Sequence, residues 1–305
     1  MTQFLQQLSN GLVLGAMYGL IALGYTMVYG IIQLINFAHG DIFMLGAFGG
    51  LFAYNHWLPS SMQGHILIAL PVCLIFGIAW SVLSAVIMER VAYRPLRNAP
   101  RLAPLITAIG VSAVIEEGTR LWYPGAKQPL DFPQLLPNGA FTVGGVRITW
   151  ANVTVVVVAI VLMIALQTFV LKSSTGRAMR ATAQDPDTAQ LMGVDTNRVI
   201  VTTFALGAAL AAVAGVLQGA RLGTVRFDDG FVAGLKAFTA AVLGGIGNIT
   251  GCVAGGFIIG IVEVMAIQYL PRGSGFKDLW AFVVLILVLV FKPTGLFGEE
   301  VATRA

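Results

Sequence analysis

Three groups of polar residues interrupt otherwise apolar stretches of this chain, and they are where chemistry could lie. The first is Ile35-Asn36-Phe37-Ala38-His39-Gly40-Asp41, set between two apolar runs. Polar, glycine-containing backbone is tolerated at bilayer depth only where it is buried in protein or lines a water-filled cavity. Asp41 or Asn36 can cap the helix that follows, whose positive N-terminal end could then face a carboxylate. A plain capped turn at the cytoplasmic surface accounts for the same residues equally well. The second group is Glu116, Glu117 and Arg120, near one end of an apolar run. Both acids lie within one turn of the arginine, so mutual pairing is the preferred reading over contact with a solute. The third is Glu263, alone in its apolar run. An ionisable group costs at least about 2.5 kcal/mol at the centre of a membrane helix, so Glu263 calls for a neighbouring hydrogen bond, a proton or a place in a pathway.

Other chemistries lack their motifs. There is no Gly-x-x-x-x-Gly-Lys-Ser/Thr phosphate loop, and Gly245-Ile246-Gly247-Asn248-Ile249-Thr250 departs from the dinucleotide fingerprint at its last position. Neither His-Glu-x-x-His nor Gly-x-Ser-x-Gly occurs, and His39, His56 and His65 have no metal-binding spacing. Cys73 and Cys252 sit far apart in apolar stretches and read as small core hydrophobes. A catalytic function, a cofactor and a metal are therefore not expected.

The segment from Ser173 to Gly193 is the most informative polar stretch. Ser174 or Thr175 can cap a first short helix. Asp185-Pro186 supplies a cap and a first-turn proline for a second, which Gly193 ends. Two short capped helices make a rigid knob. Ala189, Leu191 and Met192 on it would have neither membrane nor core to enter, so a partner's groove is their natural home, with the bilayer surface as the rival.

The elements that must position these groups follow from composition. With 57% of residues hydrophobic and only 10% charged, and a mean hydropathy of +0.84, most of the chain has lipid as its solvent. A membrane span needs roughly 20 apolar residues, and candidates fall at 11–33, 40–55, 65–88, 103–122, 151–171, 199–219, 232–247, 251–270 and 279–297. The expected fold is an all-α integral membrane bundle of about nine transmembrane helices in a single domain over 1–305. The runs 40–55 and 232–247 are short, and a re-entrant 232–247 would leave eight crossings.

Arg90, Arg94, Arg97 and Arg101, and Lys172, Arg177, Arg180 and Arg198, mark two loops as cytoplasmic. Nine crossings then place the C-terminus inside and the N-terminus outside. The first ten residues hold no Lys or Arg, so the first run is expected to stay in the mature protein rather than serve as a signal peptide. Asn138-Gly139, followed by the alternations 141–143 and 146–148, predicts a small outer β-hairpin near 138–148. Glycines spaced by four, as at Gly11, Gly15 and Gly19 or Gly256 and Gly260, predict close helix–helix packing. A second glycine-rich break at Gly244, Gly245, Gly247 and Asn248 pairs with that at 36–41 and hints at an internal repeat around a central site.

At this point the residues resemble a family, the LivH-type permeases of high-affinity branched-chain amino-acid ABC importers. The likeness runs over the whole chain: Gly11 to Gly30, Asn36-Phe37-Ala38-His39-Gly40 with Leu45-Gly46-Ala47-Phe48, Glu89-Arg90 with Tyr93-Arg94-Pro95-Leu96-Arg97, Gly176 through Asp185 to Gly193, Ala241-Val242-Leu243-Gly244-Gly245, and Lys292-Pro293-Thr294-Gly295-Leu296-Phe297-Gly298.

The resemblance implies a subunit in the bacterial inner membrane that moves branched-chain amino acids inward by alternating access. Its partners would be a second related permease, two ATP-binding cassette subunits that hydrolyse ATP, and a periplasmic binding protein. The loop 172–198 would be the cytoplasmic coupling segment, with Gly176, Arg177, Arg180, Asp185, Ala189, Leu191 and Gly193 at the ATPase contact. Asn36, His39, Asp41, Glu116, Glu117 and Glu263 would be candidate pathway residues. Permeases for urea or short amides resemble the chain as well, and an ion-coupled secondary carrier is the rival suggested by Glu263 and the paired breaks.

Overall fold

The computed structural model describes residues 2–298 apart from 98, 101, 271, 272, 274 and 293. Arg101 and Pro293, both used in the reading of the sequence, lie outside the described residues. All nine apolar runs are helical. They form α1 (Thr2–Ile32), α2 (His39–His56), α4 (Ile66–Met88), α5 (Leu102–Trp122), α6 (Trp150–Lys172), α9 (Thr196–Leu222), α10 (Asp229–Gly244), α11 (Ile249–Tyr269) and α12 (Lys277–Phe291). The short α3 (Ser60–Gln63) precedes α4, and α7 (Ser174–Gln184) and α8 (Pro186–Leu191) fall between α6 and α9.

Six of these helices, α1, α4, α5, α6, α9 and α11, are long and apolar enough to cross a membrane, which makes this a multi-pass membrane protein. Helix α1 begins nine residues before the run expected for it. Helix α12 stops at Phe291, short of the predicted 297.

The bundle is organised around α1 and α2, whose central residues are buried on every side. Helix α1 packs along α11, and α2 lies between α4, α9 and α10. Without a hydrophobic drive between helices in lipid, close backbone approach has to supply the contact, and glycine makes it possible. A methyl group at Gly15 would fall 2.6 Å from Phe257 Cα and 2.9 Å from the Gly256 carbonyl oxygen. One at Gly256 would fall 2.6 Å from Gly19 Cα. The four-residue spacing read from the sequence is thus the α1–α11 seam.

Helix α4 runs on through a π turn at Glu89–Tyr93 and a 3-10 turn at Arg94–Leu96. The segment between α5 and α6 carries β1 (Leu130–Asp131), β2 (Ala140–Val143) and β3 (Val146–Thr149); β4 (Thr224–Val225), after α9, pairs with β1. Strands β2 and β3 form an antiparallel hairpin. Its turn is Gly144-Gly145, both at positive φ (58° and 83°), rather than Asn138-Gly139. Two adjacent left-handed residues are what a two-residue hairpin turn requires, and glycine adopts them without strain.

Candidate functional site

The polar residues of the break between α1 and α2, Asn36, His39 and Asp41, are buried in the protein. The position before α2 is Ala38, in helical backbone and with no side-chain cap, so neither Asn36 nor Asp41 caps the helix. Asn36 instead accepts a hydrogen bond on Oδ1 from the Tyr93 hydroxyl, at 2.7 Å. The π turn of α4 places that tyrosine, and the same turn holds buried Glu89 in an ion pair with Arg97. Insertions of this kind in a helix often mark functional positions. His39 lies edge-on to Tyr25 with ring centroids 4.8 Å apart, wedged where Gly24 and Gly207 leave room for it. Asp41, in the first turn of α2, backs onto Gly230 of α10 and faces Ser112 and Glu116 of α5.

Among the described residues, the Tyr25 hydroxyl of α1, Asn36 Nδ2 and His39 Nε2 find no hydrogen-bond partner of good geometry, and the Asp41 carboxyl has only the Ser112 hydroxyl beside it. Asp41 is 0% exposed. Buried polar atoms are ordinarily satisfied, because leaving one unpaired costs about 1–3 kcal/mol.

The other predicted pathway residues fall elsewhere. Arg120 Nε donates to Glu117 Oε2 at 2.6 Å, an exposed pair, and Glu116 stands apart from it. Of that group only Glu116 faces Asp41.

Glu263 is not alone. Its Oε2 accepts from the Tyr18 hydroxyl at 2.8 Å, and its Oε1 takes Lys236 Nζ at 2.6 Å. Lys236 also reaches Asp278 Oδ1 at 2.5 Å. The network ties α1, α10, α11 and α12 together. Lys236 was missed at the sequence level, although a lone base in one short apolar run and a lone acid in the next were the available signal.

The second break, 244–248, comes close to the first, Ile246 sharing a small pocket with Ile35 and Asn36, but its backbone is satisfied. Asn248 caps α11 through its bond from the Gly251 N–H. The C-terminal tail closes the rest, with Leu296 and Phe297 N–H groups donating to the Leu243 and Gly244 carbonyls at 2.8 and 3.1 Å.

The knob has the expected two helices with a shifted first cap. Ser173, not Ser174 or Thr175, caps α7 by accepting from the Gly176 N–H at 2.9 Å. Asp185 caps α8, accepting from the N–H groups of Asp187 and Thr188. The Thr188 hydroxyl, and then these N–H bonds, hold the exposed Asp185 carboxyl below its usual range. Gly193, at φ 85°, ends the turn after α8.

Gly176 is buried against the last turn of α6, where the Val170 carbonyl leaves no room for a side chain, and Arg180 donates to that same carbonyl. Ala189 is turned inward, 4% exposed, so it is no contact for a partner. Leu191 and Met192 are 87% and 81% exposed. Arg177 and Asp185 are exposed as well.

The fold and these two features define a membrane transport subunit. In fold, the chain matches the PsaBC structure from Streptococcus pneumoniae in complex with Fab at a TM-score of 0.51, with 13% identity, over 95% of this chain and 92% of that one. A metal-chelate type ABC transporter in an inward-facing conformation matches at 0.51 and 16% identity, over 94% and 85%.

Sequence comparison carries this further. The family model for the branched-chain amino acid transport system permease component matches residues 7–291. The chain is 44% identical over 302 residues to the high-affinity branched-chain amino acid transport system permease protein BraD of Pseudomonas aeruginosa, covering 97% of this chain and 96% of BraD. It is 43% identical over 306 residues to the corresponding LivH of Escherichia coli K12, with the same coverage. The chain belongs to the family of branched-chain amino acid transport permease components.

Proposed function

We propose that this chain is one permease subunit of an ATP-driven importer that moves branched-chain amino acids into the cell by alternating access. The observation that carries the reading is the capped knob of α7 and α8. Leu191 and Met192 project from it, and a partner's groove is the natural home for an apolar pair on a rigid polar knob. ATP hydrolysis belongs to two partner ATPases docked there, with a second related permease and a periplasmic binding protein completing the assembly. Nine crossings in the bacterial inner membrane put this knob and the C-terminus in the cytoplasm and the β2–β3 hairpin outside. The solute passes the buried polar cluster around Asn36, His39 and Asp41.

The names of BraD and LivH favour leucine, isoleucine and valine over urea or amides. The ion-coupled carrier rested on Glu263 and the paired breaks, and the Glu263 carboxylate is held by Lys236, which weakens that reading. Reconstitution with the ATPase subunits and binding protein tests the proposal: leucine uptake should require ATP. Uptake by the chain alone on an ion gradient would sink it.

A further inference from the structure

A cavity of about 360 Å³ lies between α1, α9, α10, α11 and α12, within the size range of small-molecule sites. Most of its charged groups are already matched. Arg226 holds Asp228 through two hydrogen bonds of 2.8 and 2.6 Å, and its backbone N–H donates to Asp229. Lys236, however, is shared between two carboxylates, Glu263 and Asp278, and Lys277 lines the cavity beside them.

Arg221 of α9 is the converse. Among the described residues its guanidinium has no carboxylate partner, and only Nε is engaged, by Asn152 Oδ1 at 3.1 Å. The cavity thus presents the free end of an unpaired guanidinium across from two carboxylates that share one lysine. Its remaining walls include Leu14, Phe43, Leu222 and Val232.

We infer that this cavity is a binding subsite for an aliphatic α-amino acid held as its zwitterion. The planar fork of Arg221 takes the carboxylate, as guanidinium geometry favours. The half-buried Asp278 carboxylate, which only shares Lys236 with Glu263, takes the ammonium, and the four apolar residues receive the side chain. This rests on the permease reading above and adds where, and by which end, the substrate is held.

The test is protection of a cysteine. Ala233 lines the cavity, and the native Cys73 and Cys252 are buried, so Ala233→Cys in the full-length chain in nanodiscs reports access by maleimide labelling. Leucine should slow labelling. 3-Methylbutylamine, which lacks the carboxylate, and 4-methyl-2-oxopentanoate, which lacks the ammonium, should need at least tenfold higher concentrations for the same effect. Adding Arg221→Gln should bring leucine down to the level of the amine, and adding Asp278→Asn should bring it toward that of the oxo acid. A structural role alone would weaken all three ligands alike and would overturn the assignment. Absence of protection, in a variant whose complex still imports leucine with ATP, overturns the site and leaves the permease reading standing. ATP-driven import absent from the wild-type complex overturns that reading instead.

Discussion

Lys236 Nζ on α10 and Glu263 Oε1 on α11 stand 2.6 Å apart with side chains only 4% and 5% exposed, and the Tyr18 hydroxyl of α1 closes the far side of the carboxylate. Three helices are pinned at one point by groups that lipid would reject singly. Removing Lys236 leaves Glu263 buried without its cation, which costs about 3–5 kcal/mol, whereas removing Glu263 leaves Lys236 paired with Asp278. Lys236→Met should lower the thermal midpoint of the detergent-solubilised chain sharply and Glu263→Met less so, and the double variant should recover most of the Lys236→Met loss. A double variant as unstable as the sum of the singles would contradict the pairing.

The glycine seam allows a graded comparison. Gly15→Val and Gly256→Val should strongly reduce the folded fraction, since even a methyl would meet backbone of the opposite helix. Overpacking of this kind typically costs about 1–3 kcal/mol or more. Gly110→Ala and Gly118→Ala, where nothing lies within 4 Å, should leave folding unchanged by size-exclusion profile and melting.

On the knob, Leu191→Asp with Met192→Asp should cut ATP-driven uptake at least tenfold while the amount of folded permease is unaltered, because both side chains are exposed. Ala189→Glu should behave differently, lowering knob protection in hydrogen exchange by forcing a charge into a buried place. Equal, wild-type uptake in both variants would remove the case for docking at α8.

Asp41 should show opposed effects on stability and function. Asp41 is fully buried with only the Ser112 hydroxyl beside its carboxyl, so Asp41→Asn takes away a desolvated acid and keeps an oxygen for that hydroxyl. The melting temperature should hold or rise. Uptake by the reconstituted complex should fall at least tenfold, and unaltered uptake would take Asp41 out of the pathway.

Much of this was readable from residue order because it is local. The nine apolar runs, the break at 36–41, and the Asp185-Pro186 and Gly193 punctuation of α8 each depend on neighbours within a few positions. What was hidden depends on which helices become neighbours. Lys236 and Glu263 are 27 residues apart, and only the packing of α10 on α11 makes them partners. Ala189 faces inward because α8, barely two turns long, lies against α9, an orientation that its own six residues do not encode. Asp41 fails to cap α2 because the backbone at Ala38 is already helical, leaving the carboxylate to point at α5.

The repeat of four that makes the α1–α11 seam tight also makes it degenerate. Sliding α1 by one turn, about 5.4 Å, would again bring glycine against glycine, with Gly19 taking the place of Gly15 and Gly15 that of Gly11. Bare backbone therefore cannot choose between the two alignments. The choice falls to the polar contacts that bridge the same two helices, Tyr18 to Glu263 at 2.8 Å and Thr26 to Cys252 at 3.0 Å. They act as a vernier on an otherwise repeating scale.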